Sequence, residues 1–262
     1  MPHLTHSIDD GMAVITLHNP PQNRLTPQMV DELDAALTAV GESDARALLV
    51  RAEGPDFSFG GDIVDWPDMS ARELRTLFER YMNCFNRFER LSIPTVAAVQ
   101  GLCFGGGLEL AVRADIIFAA ETARFGHPEQ SLAIVTLLGG VYRIAERAGR
   151  SKAIEWALTS EQVPAAVMER HGVVNRVVPD GELADEATAF VVKLAAGPTR
   201  AHAAHKALLR IWATGGVTAA DEAMFDIAMP LFDSKDVKLA LPASVEAFLA
   251  KKPRPVFPFT GE

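Results

Sequence analysis

Residues 96–111 read Val96-Ala-Ala-Val-Gln100-Gly101-Leu-Cys-Phe-Gly105-Gly-Gly-Leu-Glu109-Leu-Ala111. An apolar run of strand length breaks at Gly101, meets three consecutive glycines and resumes with Leu108, Leu110 and Ala111. That pattern predicts a buried strand, a turn and the start of a helix. The first amides of a helix have no intrahelical acceptor and carry the positive end of its dipole, so such a turn can hold a developing negative charge. Glu109 follows directly. A lone acid in a first turn is most simply a partner of the dipole. Apolar neighbours on both sides of Glu109 instead predict burial, where a carboxylate is costly unless a partner or a function retains it.

Outward from this stretch the chain alternates strand and helix. Ala13–Leu17 is a short β-branched strand, and Pro20-Pro21 opens a loop. Thr26 before Pro27 marks a helix start, with Val30, Leu33, Leu37 and Val40 at helical spacing. Ala47–Val50 reads as a buried strand, and the loop Gly54–Asp62 leads to a helix from about Ala71 to Leu91. Thr95–Val99, Asp115–Ala119 and Val173–Val178 are further strands, which makes residues 1–196 an α/β domain. From Gly197-Pro198 onward only helices are expected: Arg200–Trp212, Ala219–Phe232 and roughly Val237–Lys251, a module of residues 197–262 ending in the Pro-rich Pro253–Phe259. Leu208, Leu209, Ile211 and Trp212 give this module more apolar surface than a short helical tail can cover, so oligomerisation is expected. Met224, Phe225, Met229 and Phe232 read as core packing.

Composition narrows the function classes. A net charge of -9 argues against bulk nucleic-acid binding. The only cysteines, Cys84 and Cys103, fit neither a disulfide framework nor a metal-ligand spacing, so a reducing, cytoplasmic setting without a structural metal is expected. No apolar run reaches the roughly twenty residues of a membrane span, and the first residues lack the pattern of a secretion signal.

A second acid, Glu129, ends Phe125-Gly-His-Pro-Glu129 on a loop, where chemistry is often carried. Phe57-Ser-Phe-Gly-Gly-Asp62 alone is an ordinary turn; beside the Gly105–Gly107 turn it offers the second amide that a carbonyl oxygen needs for two converging N–H bonds. The glycine spacing fits neither a dinucleotide fingerprint nor a P-loop. His127 has no assigned role, and His202 and His205 read as ordinary surface or core residues.

Together these segments resemble the enoyl-CoA hydratase/isomerase, or crotonase, superfamily over nearly the whole chain. The matching motifs are Pro20–Thr26, Phe59-Gly60-Gly61-Asp62-Ile63, Gly101 with Gly105–Glu109, Phe125–Glu129 and Phe232–Asp236 in the helical tail, in the family's order. The resemblance implies a crotonase-like spiral of ββα units, a C-terminal helical trimerisation module and an acyl-CoA thioester held by two backbone amides. By motif position those amides are Phe59 and Gly106. In the family's hydratases two glutamates hold a water, and their positions fall on Glu109 and Glu129. Retaining both acids points to hydration of a 2-enoyl-CoA, with coenzyme A as part of the substrate and no separate cofactor. The resemblance also places Arg24, Leu25, Gly60, Gly61, Asp62, Ile63, Trp66 and Leu137 around the acyl-CoA, with Arg24 and Lys251 or Lys252 as candidates for its phosphates. The expected assembly is a homotrimer or homohexamer. The chain departs from the family pattern at Phe59, Thr136-Leu-Leu138 and Leu241-Pro242. Other enolate chemistry (double-bond isomerisation, thioester or carbon–carbon cleavage) would share the site, and a non-catalytic binding protein is the alternative from another class.

Overall fold

A hairpin opens the fold. In the computed structural model, which describes residues 2–262, β1 (Leu4–Asp9) and β2 (Met12–Leu17) pair antiparallel through Asp10 and Gly11. Both turn residues have positive φ, 46° and 74°, which matches the twist of a two-residue hairpin. The sequence reading found β2 alone. Thr26 caps α1 (Pro27–Glu42) by accepting the Met29 N–H, and α1 buries Met29, Val30, Leu33, Ala36, Leu37 and Val40 along one face. β3 (Ala47–Ala52) follows, then α2 (Ala71–Glu89), whose start is a reciprocal capping box between Ser70 and Glu73.

β4 (Thr95–Val99) is buried along its whole length, as expected of a strand covered on both faces. The chain then turns at Gly101 into β5 (Leu102–Phe104) and α3 (Gly106–Ala111). Only glycine permits that turn: its φ is +55°, and a Cβ would lie 2.0 Å from the Pro55 carbonyl oxygen. The step from one strand to a short second one recurs with β6 (Ile116–Ala120) and β7 (Arg124–Gly126). Next come α4 (Gly140–Ala148), α5 (Arg150–Thr159), β8 (Val163–Pro164), α6 (Ala165–Arg170), β9 (Arg176–Val178) and α7 (Leu183–Ala195). One sheet runs β1-β2-β3-β4-β6-β9, parallel except at β1; the second runs β5-β7-β8. Phe57, Phe85, Phe88, Phe118 and Phe125 fill the interior. The strand expected at Val173–Val178 is shorter, because Val173 and Val174 are buried in the turn that precedes β9.

The C-terminal part is helical, as expected. α8 (Thr199–Ala228) is two helices joined at Gly216, whose φ of 75° and ψ of -171° break the helical path where the sequence reading left a gap. α8 has no buried residue. Phe225 is 68% exposed, and Met224, Met229 and Phe232 are also exposed, so these side chains are a surface and not the core expected of them. The helix predicted to run to Phe232 ends at Ala228, where Pro230 starts a short turn before α9 (Lys235–Leu249). The tail folds back: Asp236 accepts the Thr260 and Gly261 amides, while Arg46 donates to Gly197 O (2.6 Å), Thr199 Oγ1 (2.9 Å) and Phe259 O (2.8 Å). No described helix is long and apolar enough to cross a membrane.

Candidate active site

Three loops meet at the end of β4. Buried Asn23 joins the first two by donating to Glu53 O (2.8 Å) and Asp56 O (2.9 Å). Ser58 fixes the second by donating to Asn23 O (2.7 Å) and accepting the Phe104 N–H at its carbonyl. The contact is close enough to require glycines: a Cβ on Gly107 would lie 2.5 Å from Ser58 O, and one on Gly60 would lie 2.9 Å from Phe104 O.

This stacking decides which amides are free. The Phe59 N–H donates to Gln22 O at 2.9 Å, so it is not available to a ligand, contrary to the assignment by motif position. Gly61 N–H and Gly106 N–H have no acceptor among the described residues. They lie side by side: a Cβ on Gly106 would stand 3.6 Å from the Gly61 nitrogen. Gly106 is the first residue of α3 and so has no intrahelical acceptor. The available pair is Gly61 and Gly106.

Beside them lies a cavity of about 240 Å³. Its walls include Glu109, Glu129, Gly61 and Gly106, together with Arg24, Leu25, Phe59, Gly60, Ile63, Trp66 and Leu137. Phe78, Tyr81, Leu132, Ile134 and Leu138 add apolar lining. Asp62 and Lys251 do not line it. Asp62 serves the loop by donating its N–H to Leu25 O, and Lys251 sits past the end of α9 in a left-handed turn. Arg24 stays at the wall, its guanidinium 5.7 Å from the Phe59 ring centre and bonded to Gln22.

Glu109 is 2% exposed, and its Oε1 accepts the Leu138 N–H (2.7 Å) and the Gly140 N–H (2.9 Å) at the start of α4. Gly140 must be glycine for this approach, since a Cβ would lie 2.9 Å from Glu109 Cγ and 2.7 Å from His127 Cε1. Burial, then the neighbouring Glu129 charge, pushes the Glu109 carboxyl up to about 7, against the two amides and Arg113, which favour the ionised form. Glu129 stands in the turn Pro128–Leu132, and burial raises its pKa also. Its Oε2 is buried without a hydrogen-bond partner. His127 is buried with both ring nitrogens unpartnered, and burial lowers its pKa to about 4. At that value the ring is neutral at neutral pH, so its 3.8 Å approach to Glu129 is neither an ion pair nor a hydrogen bond.

Sequence reasoning missed Arg113. Its side chain is fully buried between Asn86, Glu89 and the Leu138 carbonyl. The one available signal was a cation inside the apolar run that follows Glu109. Among the described residues no three His, Cys, Asp or Glu side chains gather as a metal site would.

Residues 7–258 match the family model described as enoyl-CoA hydratase/isomerase. A probable enoyl-CoA hydratase of Bacillus subtilis is 32% identical over 253 residues, 94% of this chain and 95% of that protein. A probable enoyl-CoA hydratase of Mycobacterium bovis is 34% identical over 69% of this chain and 70% of its own length. The crystal structure of an enoyl-CoA hydratase from Bacillus anthracis superposes with a TM-score of 0.89 at 25% identity, covering 99% of this chain and all of that one.

Proposed function

The chain belongs to the enoyl-CoA hydratase/isomerase family, and from that premise we propose that it hydrates a 2-enoyl-CoA thioester to the 3-hydroxyacyl-CoA. The observation that carries this reading is the pair of carboxylates with raised pKa values on one apolar cavity beside two unpaired amides. Gly61 and Gly106 donate to the thioester oxygen, which gains negative charge as the enolate forms; one such donor is worth about 3 kcal/mol in a water-poor site. Glu109, ionised and fixed by Leu138 and Gly140, takes a proton from water as the water oxygen bonds to the β-carbon. Glu129, protonated, gives its proton to the α-carbon, and proton exchange between the two acids restores the starting state. Two carboxyl groups facing one low-dielectric space favour this one-proton arrangement, because both ionising together is costly.

Coenzyme A arrives as part of the substrate, with Arg24 at the cavity wall suited to its phosphates. No separate cofactor enters the reading. The exposed apolar side chains of α8 and α9, among them Trp212, Phe225 and Phe248, suit a homotrimer or homohexamer built through residues 197–262. Two buried free thiols suit the cytoplasm.

Incubation with a panel of 2-enoyl- and 3-enoyl-CoA thioesters, followed by mass, tests the reaction. Addition of one water to 2-enoyl substrates is expected. Turnover of 3-enoyl substrates to 2-enoyl products without addition of water would replace hydration by isomerisation.

A further inference from the structure

Arg113 lies just beyond α3, four residues after Glu109, with its side chain wholly buried. Nη2 donates to Leu138 O at 2.6 Å, and the N–H of the same Leu138 donates to Glu109 Oε1 at 2.7 Å. Leu138 is therefore held at both ends, by a cation on its carbonyl and a carboxylate on its amide. The guanidinium is itself braced by Asn86 Oδ1 (2.8 Å) and Glu89 Oε2 (3.1 Å), and Glu89 is shared with Arg143 from α4. Burying a cation this fully is costly, and a chain that needed only packing here would be served by an apolar side chain. Thr136-Leu137-Leu138 carries no proline or glycine of its own to stiffen it before Gly139.

We propose that Arg113 is a positioning residue for Glu109: it fixes the Leu138 peptide that holds the carboxylate, and its charge keeps that carboxylate ionised. The proposal rests on the reading of Glu109 as the base. The charged and titratable groups around the pair are Glu129 on the same cavity, His127 against Gly140, Cys84 and Glu89 on α2, and Arg143 and Tyr142 on α4. Of these, Arg113 favours the Glu109 anion directly, and Glu129 opposes it. Burial lowers the Arg113 pKa to about 10, so it remains a cation at neutral pH.

The test is the pH profile of kcat/KM for Arg113→Met against the unmodified protein, with Glu109→Gln and the double variant beside them. Without the cation the Glu109 carboxyl titrates higher. For an upward displacement of one pH unit, the ratio of unmodified to variant kcat/KM is about fivefold at pH 7 and falls below about twofold at pH 9. Arg113→Lys, which keeps the charge, should recover most of the difference. Adding Arg113→Met to Glu109→Gln should cause no further loss. A ratio that is the same at pH 6 and pH 9, or a further loss in the double variant, overturns the proposal. Arg113→Gln, which keeps a donor for Leu138 and loses the charge, is the second variant should the Met form not fold; if neither folds, Arg113 is a stability residue and the proposal falls. Full activity in Glu109→Gln would instead remove the base reading itself, a separate outcome.

Discussion

Glu109 and Glu129 face one cavity from segments built in opposite ways. Glu109 projects from the first turn of α3, which packs against β5 and α4, and both of its bonds go to amides at or just before the start of α4. Glu129 projects from a short turn that opens at Pro128 and closes at Ala133 in the left-handed region, and its Oε2 has no partner. The difference suits the two tasks proposed for them. A base must be aimed and able to ionise, which fixed N–H donors favour against burial; an acid must keep and release a proton, which a buried oxygen without a partner allows.

The comparison breaks first under isosteric substitution. Glu109→Gln is expected to lower kcat by about ten-thousandfold and Glu129→Gln by about a hundredfold, within the range for positioned proton-transfer groups. The inequality is expected because, in the proposed reaction, only Glu109 activates the nucleophile. Thioester affinity, read by calorimetry, should change little in either; equal losses would mean that the two segments share one role.

Leu137 stands in the segment that links the Glu129 turn to α4 and separates the cavity from a hollow along α2, since Phe78, Ile134 and Leu137 line both. Leu137→Gly should shift the kcat/KM ranking among short, long, branched and aromatic 2-enoyl-CoA thioesters by roughly ten- to two-hundredfold. Trp66→Ala, at the cavity lining edge-on to the Phe78 ring, should shift the ranking in the same assay. An unchanged ranking in both would place the acyl group elsewhere.

The pH dependence sharpens the contrast. In the proposed reaction Glu109 acts ionised, and burial pushes its carboxyl up to about 7, so kcat/KM should fall about tenfold from its plateau by pH 6. An acid limb near the ordinary carboxylate value would refute the assignment of that limb to Glu109.

The smallest effect is on stability. A carboxyl whose folded pKa lies above its unfolded value binds more protons when folded, so its destabilising contribution is absent below about pH 4 and complete above about pH 7. Glu109→Gln removes that penalty, about 3 kcal/mol for a rise from 4.5 to about 7, and should raise the Tm at pH 8 by roughly 5–10 °C, with no gain at pH 4. A gain at both pH values would point to packing and not to charge.

The two acids were legible because their signals are local: a glycine triplet before a helix, and a proline before an acid. β2, β3, β4 and β6 and the amphipathic α1 and α2 were legible for the same reason; β1, with Leu4 and Ile8 as its only apolar residues, was not. β5, β7 and β8 were not, because three residues or fewer show no periodicity, and the second sheet went unread with them. The amide at Phe59 was misassigned because its availability depends on the carbonyl of Gln22 in another loop, which no motif displays. Met224 and Phe225 read as core because periodicity reports that a face is apolar, not what covers it.

Arg46 grips Gly197, where the helical module begins, and Phe259, near the last described residue. The bond to Phe259 joins positions 213 residues apart. Closing so long a loop costs chain entropy that the folded remainder of the chain must offset, so this clasp depends on the two sheets being in place. One side chain of the α/β part thereby ties down both the first residues of the helical segment and the returning tail, so loss of Arg46 would release the two together.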